Sequence, residues 1–152
     1  MTATITAAFI HHAAAFIVVA TLMVELVLLK GDLTPATARS VLRMDSVYGI
    51  AALVLLVVGL LRVFYTEKGA AYYFASGSFL AKLTLFIVVG LLSIYPTVQF
   101  LGWRKALHEG HVPDFGAGTR RKVRMLIHLE LTLLFIIMLL AAMMARGVWF
   151  LG

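Results

Sequence analysis

The chain has 152 residues, 62% of them hydrophobic and 13% charged, with a formal net charge of +6 and no cysteine. A soluble domain carries roughly 45–50% apolar and about 25% charged residues, so this composition, with a mean hydropathy of +1.02, excludes a water-soluble core and calls for lipid as solvent. The missing cysteines exclude disulfides, thiolate metal sites and covalent haem attachment, and the basic balance does not argue for nucleic acid, because the charges lie between apolar runs.

Four apolar runs are long enough to cross a bilayer, which takes about 20 residues at 1.5 Å rise each: about 4–29, 45–64, 76–101 and 123–150. They predict an all-α, polytopic four-helix bundle forming one transmembrane domain. Nothing positive precedes the first run, and it is too long for the apolar core of a cleavable signal, so it reads as a retained span. At 100° per residue His11 and Glu25, fourteen positions apart, share one face of it, and His12 points away. Lys30-Gly31-Asp32 marks a turn, and Thr34 before Pro35 reads as the cap of a short interfacial helix leading into the second run.

In the second run Tyr48, Ala52, Gly59 and Arg62 form one stripe with Asp45 beside it. The small residues there let a neighbouring helix, a flat ligand or a second protomer approach closely, which leaves room for a homo-oligomer. Glu67-Lys68-Gly69 is the next turn, and the third run aligns Lys82, Phe86, Ser93 and Pro96. The polar stretch 102–122 contains His108 and His111, without partner ligands for a metal site. In the fourth run Arg124, His128 and Arg146 lie on one stripe, and Glu130 and Met144 on another rotated by about half a turn. Either stripe could face the bundle.

Nine of the thirteen Lys and Arg fall in the first and third connections: Lys30, Arg39 and Arg43, then Arg104, Lys105, Arg120, Arg121, Lys122 and Arg124. Cytoplasmic loops carry such an excess. This predicts both connections inside and both termini on the non-cytoplasmic side, with the Arg120-Arg121-Lys122 cluster against anionic lipid. Tyr72, Tyr73, Trp103 and Trp149 read as interfacial belt residues.

An ionisable residue inside a span costs about 2.5–3.5 kcal/mol on insertion scales and is a functional candidate. Alternating helix directions sort these residues into two levels about 20 Å apart. His11, Arg62, Lys82, Tyr65, Tyr72, Tyr73, Met143 and Met144 collect in the outer half, and Glu25, Asp45, Tyr48, Tyr95, Gln99, Arg124, His128 and Glu130 in the inner half. The outer set suits a tetrapyrrole such as haem b: neutral His11 ligates iron, Arg62 and Lys82 neutralise propionates, and Met143 or Met144 supplies a further ligand. Electron transfer or porphyrin oxidation would be the activity. Two other readings stand beside it. One is a cofactor-free structural or transport-related membrane protein, whose cations snorkel to headgroups. The other is copper handling by Met143, Met144 and His11 or His12. The inner set reads most simply as internal ion pairs joining Glu25 and Asp45 with Arg43 and Arg124, and a proton path is the alternative.

Several stretches carry a family resemblance. They are Arg43-Met44-Asp45-Ser46-Val47-Tyr48-Gly49, Gly59-Leu60-Leu61-Arg62 through Lys68-Gly69-Ala70-Ala71-Tyr72-Tyr73, Phe79-Leu80-Ala81-Lys82-Leu83, Ser93-Ile94-Tyr95-Pro96-Thr97, Trp103-Arg104 and Ala145-Arg146-Gly147. Over essentially its whole length the chain resembles a bacterial family of small predicted membrane proteins known as a domain of unknown function. It is similar, more distantly, to CopD-like membrane domains and to HemJ-type protoporphyrinogen oxidases. The resemblance implies a multi-pass protein of the bacterial inner membrane. His11 and Lys82 match the first-helix histidine and third-helix lysine that function in the HemJ type, which implies haem b and, for an enzyme, a membrane oxidoreductase. The first helix departs from the HemJ type, reading Phe16-Ile17-Val18-Val19 and Val24-Glu25-Leu26-Val27.

Overall fold

The computed structural model describes residues 2–66 and 69–149, so the turn residues Glu67 and Lys68 and the run end at Phe150 lie outside the described residues. The regular elements are helices: α1 (Thr2–Leu28), α2 (Pro35–Leu61) continued by a π-helical turn (Arg62–Thr66), α3 (Ala70–Phe74), α4 (Gly77–Gly102), α5 (Arg104–His108) and α6 (Ala117–Ala145). Four of them, α1, α2, α4 and α6, are long and apolar enough to cross a membrane. At 26–29 residues each they reach about 40 Å, beyond the roughly 30 Å hydrocarbon layer.

The four run antiparallel in sequence around the bundle. Helix α1 packs most extensively on α2 and α4 on α6, and the two pairs meet through narrower α1–α6 and α2–α4 contacts. The shared core contains Val18, Leu22, Ala51, Leu55, Val89, Ile127 and Leu134. Large apolar side chains such as Phe9, Phe16, Ile50, Leu91, Phe135 and Leu139 point outward. Lipid makes that surface favourable, so helix association here depends on close packing rather than on hiding apolar area from water.

Two helix boundaries differ from the sequence expectation. The stretch from Pro35 to Ser40 is no separate interfacial helix but the first turns of α2, and the Thr37 N–H donates to the Thr34 side-chain oxygen at 3.1 Å. Helix α6 begins at Ala117 and ends at Ala145 instead of spanning 123–150. Its early start is tied down by Arg120, whose Nη2 donates to the Gly31 carbonyl at 2.9 Å. Arg39 Nη2 similarly reaches the Leu107 carbonyl at 3.4 Å. These bonds place the first and third connections at one end of the bundle, the loop end. Trp103, expected in an interfacial belt, is instead buried there, its ring about 5 Å from those of Phe100 (5.0 Å) and Phe115 (4.9 Å).

At the opposite, terminal end the chain beyond Ala145 folds back onto the start of α4. The Gly77 N–H donates to the Trp149 carbonyl at 3.1 Å and Ser78 Oγ to the Val148 carbonyl at 2.9 Å. The Trp149 indole lies where a Gly77 Cβ would stand, 2.7 Å from that position, so only glycine permits this seat. Beneath it Val63, Tyr73 and Phe79 form a small buried cluster with Tyr72, Leu83 and Met144. Tyr73 is thus a packing residue as well.

Candidate functional site

Two polar layers cross the bundle. The one nearer the terminal end is built from His11 on α1, Arg62 in the π turn after α2, Lys82 on α4 and Met144 on α6. His11 is half-buried against α2, beside Leu55 and over Gly59; a Cβ at Gly59 would stand 3.1 Å from His11 Cε1. Its Nδ1 is buried without a hydrogen-bond partner. Arg62 and Lys82 both lie close enough for their charges to act on His11. Lys82 Nζ is 4.0 Å from Met144 Sδ and 5.4 Å from the centre of the Phe79 ring. Among the described residues no carboxylate pairs with Lys82. Sequence separation between these residues is large, and convergence follows from the antiparallel register alone.

His12 faces outward and bonds the Ala8 carbonyl through Nδ1 at 2.6 Å. Met143 is half-buried, but Met144 is the methionine that packs into this layer. His12 and Met144 therefore face different surroundings, His12 exposed and Met144 half-buried. Among the described residues no group of three His, Asp or Glu side chains converges as a metal site.

The second layer, nearer the loop end, contains Glu25 on α1, Asp45 and Tyr48 on α2, Ser93 and Thr97 on α4, and Glu130 on α6. Glu25 and Glu130 are 1% and 0% exposed, and Asp45 is 8% exposed. The three carboxyl groups lie near enough to interact electrostatically with one another. Thr97 Oγ1 donates to Asp45 Oδ1 at 2.7 Å, and Ser93 Oγ donates to the Gly90 carbonyl at 2.8 Å. Glu25 Oε1 and both Glu130 oxygens have no partner. The expected ion pairs do not form. Arg43 is exposed on the far side of α2, and Arg124 is half-buried with its Nε unpartnered. His128 faces outward, so the Glu130–Met144 stripe is the one that α6 turns inward.

Beside Asp45 a cleft of about 460 Å³ opens between α2 and α4, where the two helix pairs meet least closely. Thr97, Ser93 and Gly90 line its α4 wall and were not singled out as site residues by the sequence. Their signal was the i, i+4 spacing of Ser93 and Thr97, which puts both hydroxyls on one face one turn apart. Fourteen residues of α1 separate Glu25 from His11, so the two layers are about 20 Å apart.

Four apolar helices enclosing two polar layers define an integral membrane protein of the polytopic α-helical class. The chain belongs to the family described as predicted membrane protein, DUF2214, which matches residues 3–149. No curated protein and no solved structure matches it.

Proposed function

We propose that the layer at the terminal end holds a b-type haem or a related tetrapyrrole, and that the protein serves electron transfer or porphyrin oxidation in the bacterial inner membrane. The observation that carries this reading is the convergence of His11, Arg62 and Lys82 from three helices into one layer. The donor set fits such a group chemically. His11 has a buried ring nitrogen with no protein partner, neutral imidazole is the common haem ligand, and two cations stand near it where propionates need counter-charge. Lys82 has no carboxylate partner among the described residues, so an anionic ligand would gain from it. Met144 adds a thioether beside Lys82. A bound haem supplies one-electron chemistry. The chain's own part is to fix the imidazole on Gly59, to neutralise carboxylates through Arg62 and Lys82, and to exclude water with the Val63, Tyr73 and Phe79 cluster.

The test is an optical one on detergent-purified protein supplied with haem during expression. A dithionite-reduced spectrum of the b type is expected at one haem per chain, lost in His11→Ala and weakened in Lys82→Ala. Protein that stays colourless and takes up no hemin in titration overturns the proposal and leaves the cofactor-free reading, with Lys82 and Arg62 as headgroup anchors. Copper found by elemental analysis, and lost on replacing Met143 and Met144, would favour the copper reading instead.

A further inference from the structure

The acidic layer near the loop end is independent of the cluster just described and calls for a ligand of opposite character. Three carboxyl groups share one level of the bundle, and among the described residues no Lys or Arg forms an ion pair with any of them. Arg43, only two residues from Asp45, is on the exposed face of α2, and Lys122 lies over the Tyr95 ring at 4.1 Å. Buried carboxylates in natural proteins are paired or hydrogen-bonded, because an isolated charge in a low-dielectric interior is expensive. Asp45 has one hydrogen bond, from Thr97. Behind it Glu25 and Glu130 have unpartnered oxygens and almost no exposure.

The cleft beside Asp45 has the size of a small-molecule site, which typically runs 300–1,000 Å³. Its floor is Asp45, Tyr48, Ser93 and Thr97, and Phe86 forms an apolar wall. Its mouth lies on the outer face of the bundle, between the exposed residues Ile50 (67%) and Leu101 (40%), which also line it. A ligand entering there comes out of the bilayer and must itself be partly apolar. The geometry points to a binding site for an amphiphilic monovalent organic cation, drawn laterally from the membrane into the α2–α4 cleft, with Asp45 as counter-charge. Phe86 and Tyr48 line the cleft, and aromatic rings attract cations. A metal ion fits less well, since the carboxyl groups do not converge on one point.

Tetraphenylphosphonium is a suitable probe, and tetraphenylborate is its control of the same shape and opposite charge. Equilibrium binding is measured on full-length, haem-free protein in nanodiscs of zwitterionic lipid, with empty nanodiscs giving the partition background. Saturable binding of one phosphonium per chain is expected, weakened at least tenfold in Asp45→Asn, with no saturable binding of the borate. A second variant, Gly90→Leu, fills the cleft and leaves every carboxyl in place. A Cβ at Gly90 meets nothing within 4 Å, so the helix pair keeps its packing, and binding should be lost. Equal binding of phosphonium and borate overturns the proposal, as does unchanged phosphonium binding in Gly90→Leu. Failure of hemin uptake in the same preparation bears on the other layer alone.

Discussion

At the scale of single residues, Asp45 and His11 show how much depends on one neighbour. Thr97 supplies the hydrogen bond to Asp45, and Thr97→Val keeps the volume while removing that donor. A buried acceptor left without its partner costs about 1–3 kcal/mol, so Thr97→Val should lower the unfolding temperature in detergent, with Thr97→Ser restoring it. Gly59→Ala would bring a Cβ to 3.1 Å from the His11 ring. Overpacking of this kind costs about 1–3 kcal/mol; thermal unfolding reads that loss, and hemin titration of the same variant should show weaker uptake if His11 is the ligand. That His11 and His12 face different ways was legible beforehand, because it follows from the 100° step within one helix. The choice between His128 and Glu130 was not. Their stripes differ only by rotation, and the rotation of α6 is set by how Ile127, Leu131 and Leu134 seat against the other helices. The same reason separates Met144 from Met143, one helical step apart.

At the scale of elements, caps and end contacts decide where the helices stop. Thr34 satisfies an orphan N–H at the start of α2, so Thr34→Ala should cost about 1 kcal/mol, read as lost helicity or a lower unfolding temperature. The seat of the C-terminal turn on α4 is stricter, since a Cβ at Gly77 would meet the Trp149 indole at 2.7 Å. The chain has two tryptophans, so Trp103→Phe leaves Trp149 as the sole tryptophan, whose emission is read with excitation at the red edge, where tyrosine does not absorb. In that background Gly77→Ala should displace the indole, shift its emission and change its accessibility to a lipid-phase quencher; an unchanged spectrum would refute the seat. The early start of α6 could not be read from apolar runs, because residues 117–122 are mostly small or polar and the bond from Arg120 to the Gly31 carbonyl joins segments distant in sequence. The ion pairs expected from opposite charges at one depth failed for a related reason. Depth places groups at one level, but helix rotation sends Arg43 outward while Asp45 and Tyr48 turn in.

At the scale of the whole molecule, the charge distribution carries a prediction about orientation. Nine of the thirteen Lys and Arg lie in the first and third connections or in the helix turns that flank them, and these connections meet at one end of the bundle through the Arg120–Gly31 and Arg39–Leu107 bonds. The positive-inside rule predicts that this end is cytoplasmic. Reporter fusions at both termini should therefore be active in the form that works outside the cytoplasm; an active cytoplasmic reporter at the C-terminus would reverse the assignment and exchange the sides of the two polar layers. Composition and local periodicity by themselves determined the lipid solvent, the number of spans, the clustering of cations between them and the sorting of polar residues into two levels. Each of these depends on hydropathy, rise per residue or angle within one helix. Tertiary structure alone decided which stripes face inward, that the carboxyls meet one another and not the arginines, and that α2 and α4 part to form a cleft. Those outcomes depend on rotation and spacing between helices, which are set by the packing of side chains distant in sequence.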